Sequence, residues 1–413
     1  MIEKLFDFIA AYIGLPAAFH LMKMKNKKRD GEKIKIVFMC QLTHVWSCIE
    51  SIYEAATKDE QIEAYVLAIP NDLEHPDNDT YDFCKVKGCK VISAYDVNSG
   101  KYFDLEGLKP DYVFIPRPYD HYLPRPYRSK VVSKYAKVCY VSYCYVAEGG
   151  HILETCYNRF FAVNAYFVFP DNASTAAFSK GLFPISTKLG LRKVVQTPFP
   201  RFDLLKKYEG VESSNWQIAR EHAAMRMIYA PRWATEEQLG ITSFFTYKDF
   251  LFDFAKKHGD CELMVRPHPL AFRHFVEVGK MSKKDVAEYK QVCEESPNVQ
   301  LDERKEYLDS FASADVLIAD MSGVIIDFLA MKKPIIFCSY DQELNEANKT
   351  LIDAFYVSHN VEELEGYLEM LLRGEDPKKE LRDAITKELI GECDGKNGAR
   401  IVEMIKEDAG LGA

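Results

Sequence analysis

Several common chemistries have no pattern to build on in this chain. No two of its 11 cysteines form a C-x-x-C pair and no H-E-x-x-H run occurs, so a protein-held zinc centre lacks its ligand spacing. There is no G-x-x-x-x-G-K-[ST] loop, and Gly149-Gly150 does not belong to a G-x-G-x-x-G fingerprint, which sets aside P-loop ATPases and the commonest dinucleotide enzymes. An excess of positive charge is missing too. The 53 Lys and Arg stand against 62 Asp and Glu, a net charge of -9, and no global field is available to hold a nucleic-acid backbone. No long Ser-, Gln- or Pro-biased tract interrupts the chain, and a mostly disordered protein is excluded with it.

What is present can build a core. Hydrophobic residues make up 47% of 413 positions, enough for two or three domains at roughly 100–200 residues each. Cys40, Cys139, Cys144 and Cys338 lie in apolar, strand-like stretches, the setting of buried reduced thiols and of a cytoplasmic protein. Near the start, Leu5, Phe6, Ile9, Tyr12 and Ile13 share one helical face, and the uncharged run 8–19 is broken by Gly14 and Pro16. That run is too short to cross a bilayer, which takes about 20 apolar residues. Lys23, Lys25, Lys27, Lys28 and Arg29 follow it, the reverse of the order in a secretory signal. Residues 1–32 are therefore expected to form an amphipathic, basic segment. It either packs on the body ahead of a solvated linker or, through residues 1–29, lies on the inner face of the plasma membrane as a peripheral anchor.

From Lys33 onward, apolar runs of strand length alternate with amphipathic stretches. Strands are expected at 34–40, 62–70, 89–93, 112–116, 138–143, 165–170 and 194–197, with a helix at 45–58. After the polar stretch Glu209–Asn215 a second series follows at 225–230, 262–266, 299–301, 316–319 and 334–338, and helical periods occupy 361–374, 377–391 and 398–408. Alternation of this kind gives parallel sheets covered by helices on both faces. The expected architecture is α/β: two Rossmann-like doubly wound domains, 33–208 and 209–413, facing a central cleft near the carboxyl ends of their strands.

The residues suited to chemistry fall just after those strands. Arg266-Pro267-His268-Pro269 follows one; the prolines keep the loop out of a helix, the arginine fork suits a phosphate, and the imidazole titrates near neutrality. Asp320-Met321-Ser322-Gly323 follows another and opens an apolar helix, where a helix cap and an anion site look alike. Pro231-Arg232 offers a further guanidinium. Arg201 and Asp203 sit near the change of domain, as hinge or site. In the first half, His44 follows the strand at 34–40 and His151 follows the one at 138–143; either can serve as a base toward an acceptor hydroxyl or as a structural residue.

Taken in order, Tyr229-Ala230-Pro231-Arg232, Arg266-Pro267-His268-Pro269, the run Ile318 to Asp327, Lys333 to Phe337 and Asp341 resemble the CDP-glycerol glycerophosphotransferase family of teichoic acid synthesis. Asp394-Gly395 with Arg400 is similar to its closing motif. The resemblance implies a glycosyltransferase-B-like fold, with the nucleotide donor on the carboxyl-terminal domain and the acceptor on the other. It also implies attack of an acceptor hydroxyl on the distal phosphorus of a CDP-polyol, with CMP leaving. Carried over by position, Arg232, Arg266, Asp320, Ser322, Gly323 and Asp327 become donor-binding candidates and His268, His151 and His44 catalytic ones. The family's His-Gly pair is absent from the first half, where Gly150-His151 has the reverse order.

The implied partners are a glycerol- or ribitol-phosphate donor activated by CDP and a glycan or lipid-linked acceptor; no covalently bound cofactor is expected, no carboxylate cluster obliges a bound ion, and the pyrophosphate leaves room for a soluble Mg2+. Two other functions fit the same fold: a glycosyltransferase using a nucleotide sugar, and a catalytically idle relative that binds a nucleotide or glycan.

Overall fold

The computed structural model describes residues 28, 31–72, 79–236, 241–304, 306–338, 344–391 and 393–411. They divide into two compact units. The first runs to Leu204 and includes Asn345–Ala347 and the chain from Cys393 onward; the second begins at Leu205 and takes the rest.

In the first unit, β1 (Ile34–Cys40), β2 (Ile62–Ala68), β3 (Val91–Ser93), β6 (Tyr112–Phe114), β7 (Lys137–Val141), β8 (Ala165–Phe169) and β9 (Lys193–Val194) form one sheet, while β4 (Tyr95–Asp96) and β5 (Lys101–Tyr102) pair as a small hairpin. The order is β3-β2-β1-β6-β7-β8-β9 and every pairing is parallel. The second unit repeats the plan with β10 (Met225–Ala230), β11 (Cys261–Val265), β12 (Val299–Leu301), β13 (Val316–Ala319), β14 (Ile335–Phe337) and β15 (Tyr356–Val357), ordered β12-β11-β10-β13-β14-β15 and again parallel. Strands such as β10 and β13 are apolar throughout and buried along their whole length, as a sheet covered on both faces requires. Each sheet reverses its order beside its first strand, at β1/β6 and at β10/β13. Ligands of open parallel sheets bind beyond the carboxyl ends of such a pair.

The expected strands are present, four with the expected bounds and the others with ends shifted by up to three residues. The helix expected at 45–58 is instead a 3-10 turn, Thr43–Cys48, followed by the helix Glu50–Lys58. The two-residue β15 is too short to leave a pattern in the sequence.

The largest difference concerns the last helix, Asn397–Ala409, which by its place in the chain is expected in the second domain. It packs in the first unit. Asp203 accepts from the N–H groups of Asn397 and Gly398 at 3.0 and 2.8 Å and so caps that helix, which makes Asp203 a structural residue. Gly398 lies against the helix Glu50–Lys58, where a β-carbon would fall 2.4 Å from Ser51 backbone atoms. At the far end Asp408 accepts from the Tyr112 and Tyr166 hydroxyls and pairs with Lys137 and Lys193, each at 2.6 Å. Helical periodicity says which face is apolar but not which core receives it.

The N-terminal amphipathic helix lies outside the described residues. Within the basic cluster, Lys28 pairs with Asp111 at 2.9 Å and donates its backbone N–H to the Ala409 carbonyl. Among the described residues no helix is long and apolar enough to cross a membrane, and none of the 11 cysteines is in a disulfide.

Candidate functional site

The second unit brings its three sequence clusters to the carboxyl ends of the adjacent strands β11, β10 and β13. His268 donates its backbone N–H to the Pro231 carbonyl at 3.1 Å, tying the loop after β11 to the loop after β10. The His268 ring is exposed, and its Nδ1 accepts from the Leu270 N–H at 3.2 Å. In the neutral ring this bond leaves the proton on Nε2.

Across the switch point, Ser322 stands in extended conformation at the head of the helix Gly323–Ala330 without capping it. Its Oγ is buried and lacks a hydrogen-bond partner. A β-carbon added at Gly323 would meet nothing within 4 Å, so the space beside this glycine is open. The leading N–H groups of a helix have no intrahelical acceptors and carry partial positive charge, the setting in which an anion is favoured.

Two acidic candidates and one arginine serve beneath this surface. Asp320 is fully buried, and its Oδ2 accepts from the N–H groups of Arg232 at 2.9 Å and Ser243 at 3.0 Å. Burial pushes its carboxyl above the usual range, against the lowering effect of those N–H groups. Asp320 therefore fixes the loop that carries Arg232 and has no surface with which to touch a ligand. Asp327, 3% exposed, accepts from the Tyr307 hydroxyl at 3.0 Å. Arg266 lies over the Tyr307 ring at 4.2 Å, with Nη1 on Asp302 at 2.9 Å and Nη2 on the Arg304 carbonyl at 2.8 Å. Its fork is spent inside the protein, so the bidentate phosphate grip expected of it is not on offer in this arrangement.

The first-unit candidates stay apart. His44 is exposed in the turn after β1, where its carbonyl accepts from Ser47 Oγ at 3.3 Å. His151 is exposed in the first turn of the helix Gly150–Cys156, with Nε2 3.4 Å from Thr155 Oγ1. They follow β1 and β7, and β6 lies between these strands. Arg201 bonds Ser47 Oγ through Nη1 at 3.1 Å.

Sequence reasoning missed Asp302 and Tyr307, which hold Arg266, and Trp233, whose ring centre is 6.3 Å from that of His268. Asp302 directly follows β12, the position that flagged the other clusters. Among the described residues no group of three or more His, Cys, Asp or Glu could hold a metal ion.

Residues 154–407, more than half of the chain, match the family model described as CDP-glycerol:poly(glycerophosphate) glycerophosphotransferase. The chain belongs to this family. A teichoic acid glycerol-phosphate transferase of Staphylococcus aureus is 26% identical over 182 residues, 43% of this chain and 41% of that protein. The minor teichoic acid biosynthesis protein GgaB of Bacillus subtilis is 26% identical over 152 residues, 35% of this chain and 15% of its own length. The chain thus spans less than half of the length of these curated relatives. Among solved structures, the wall teichoic acid polymerase TagF soaked with CDPG superposes with a TM-score of 0.57 at 14% identity, over 99% of this chain and 98% of that one. A UDP-GlcNAc 2-epimerase from Neisseria meningitidis gives 0.61 at 14% identity, over 91% and 100%. These likenesses show the fold, which is glycosyltransferase-B-like.

Proposed function

We propose that this member of the glycerophosphotransferase family moves glycerol phosphate, or a related polyol phosphate, from a CDP-activated donor to a hydroxyl of a teichoic-acid-like or other cell-surface glycan precursor, releasing CMP. The observation that carries the reading is the open helix start at Ser322-Gly323 beside the exposed His268, inside the segment matched by the family. The donor's phosphates suit that helix start: helix N–H groups and Ser322 Oγ donate to one phosphate, and His268 Nε2–H donates to a phosphate oxygen. The acceptor oxygen forms a bond to the distal phosphorus as the bond from phosphorus to the CMP oxygen breaks. The hydroxyl proton passes to a base. Such a transfer proceeds chiefly by positioning and by stabilising charge on the phosphoryl oxygens. A cytoplasmic enzyme with 1–29 resting on the inner membrane face would meet a lipid-linked acceptor where it is made.

Thermal shift with CMP, CDP-glycerol, CDP-ribitol and UDP-sugars tests the donor, because a ligand bound only by the native state raises stability by RT ln(1 + [L]/Kd). Stabilisation by cytidine compounds alone is expected. Stabilisation by uridine compounds instead would make the protein a sugar transferase, and no response to any nucleotide would leave an idle binding relative. His268→Ala is expected to lower turnover by about 10²–10⁴ if the ring transfers a proton or bonds the reacting phosphate; unchanged turnover would remove His268 from the mechanism.

A further inference from the structure

Two thiols face each other in the connection after β7. Cys144 lies just beyond that strand and Cys156 ends the helix Gly150–Cys156, so 12 positions of chain separate them. Folding nevertheless brings their sulfurs to 4.0 Å. A disulfide holds its sulfurs at about 2.05 Å, so the pair has roughly 2 Å to close, and Cys144 sits on irregular backbone that can move. The other thiols are placed less well for such chemistry. Cys48 spends its S–H on the Tyr143 carbonyl at 2.9 Å. Cys40 and Cys84 also bond one another, but both are buried. Burial pushes the Cys89 thiol up to about 12.

The contact also favours one thiolate in the pair. The bond from Cys144 lowers the Cys156 pKa from its ordinary value, helped by the Tyr143 hydroxyl 3.7 Å away and opposed by burial and by the Asp171 and Glu148 carboxylates. Cys156 is 2% exposed, whereas Cys144 is half-buried. Either sulfur can be the donor across their bond. With the shared proton on Cys156, the thiolate, which is the nucleophilic form, stands on the sulfur that solvent reaches.

We propose that Cys144 and Cys156 form a dithiol–disulfide couple that exchanges with a low-molecular-weight disulfide, Cys144 attacking first and Cys156 closing the bond. The Cys144 thiolate attacks one sulfur of the reagent, and the other sulfur leaves as a thiolate that takes up the released proton. The Cys156 sulfur, deprotonated in turn, attacks Cys144 Sγ in the mixed disulfide, and the second half of the reagent leaves as a thiol. Two protein thiols are oxidised and one small disulfide is reduced to two thiols.

Closure restrains a particular segment. The linked chain carries Glu148-Gly149-Gly150-His151 beyond the carboxyl end of β7, the edge at which sheets of this kind meet their ligands. Gly150 stands at a φ of +50°, backbone that glycine adopts freely, and a cross-link from Cys144 to Cys156 limits the alternatives to it. It also takes the Cys156 S–H from the Tyr143 hydroxyl, which lies 3.0 Å from the hydroxyl of Tyr119. The inference rests on no assignment of donor or acceptor.

The test exposes the reduced full chain to oxidised glutathione for increasing times, blocks the remaining thiols by alkylation and maps the digest by mass spectrometry. A link between Cys144 and Cys156 is expected to form before any other, Cys40–Cys84 included, and to be reversed by dithiothreitol. Hydrogen exchange of the oxidised chain should be slower over 144–156 than in the reduced one. Cys156→Ser is expected to stop at a glutathione adduct on Cys144, because the second thiol is gone, and Cys144→Ser to leave Cys156 unmodified. The wild-type map decides the matter if a variant does not fold: absence of the Cys144–Cys156 link, or another pair that oxidises first, overturns the proposal. So does an adduct on Cys156 in a folded Cys144→Ser chain.

Discussion

Arg266 shows how one side chain separates two accounts of a site. Both Nη atoms bond inside the protein and the plane rests on Tyr307, geometry that a lysine ammonium cannot reproduce. Arg266→Lys is therefore expected to lower stability by about 1–3 kcal/mol, read from chemical unfolding, because one ammonium cannot serve both the Asp302 carboxylate and the Arg304 carbonyl in a largely buried place. An unchanged unfolding midpoint together with weakened donor binding would instead make Arg266 a direct phosphate ligand. Asp320→Ala is expected to cost about 2–4 kcal/mol by orphaning the N–H groups of Arg232 and Ser243. Asp320→Asn keeps an acceptor there and should cost less.

At the scale of elements, the seat of the last helix is decided by a glycine and a carboxylate. A methyl group at Gly398 would sit 2.4 Å from Ser51 backbone atoms, and backbone cannot yield as the end of a side chain can. Gly398→Ala is expected to destabilise the first unit by about 2 kcal/mol or more, although alanine favours a helix intrinsically. Asp203→Ala removes the acceptor of two helix-start N–H groups and is expected to cost about 1–2 kcal/mol. Hydrogen exchange should locate both losses in Asn397–Ala409 and in the helix Glu50–Lys58, its neighbour. Exchange confined to the second unit would contradict this packing.

For the whole molecule, the return of the chain from Cys393 to the first unit has two consequences. A fragment ending at residue 208 strips the cover from the Ser51 backbone and the partner from Tyr112, Tyr166, Lys137 and Lys193. It is expected to be insoluble or unfolded where the full chain is not. The second consequence is a pH dependence. Burial alone would raise the Asp408 pKa, but Lys137, Lys193, Tyr112 and Tyr166 prevail and hold it at about 2. A carboxyl depressed in the folded state contributes stability that is complete above its unfolded pKa of about 3.9 and disappears as the pH falls through the folded value. Acid unfolding between about pH 4 and pH 2 should therefore draw on roughly 2 kcal/mol from this group. Asp408→Asn should show a shallower pH slope in that window and lower stability at neutral pH; identical slopes would remove Asp408 from the acid response.

The sequence alone determined the two parallel-sheet units, the strands within a few residues and the loops that carry His268, Ser322 and Gly323. Those features are written in local apolar runs and in the residues that interrupt them, and several family motifs in the right order pointed to the same loops. Only the tertiary structure shows that Arg266 and Asp320 bond inside the protein, because their partners Asp302, Tyr307 and Ser243 lie on other elements 36, 41 and 77 residues away. Only it could hand the last helix to the first unit and set the sulfur of Cys144 beside that of Cys156, 12 residues apart in the chain. Sequence pattern records what a residue does to its neighbours along the chain; which distant group satisfies a buried charge is settled when the sheets and helices pack.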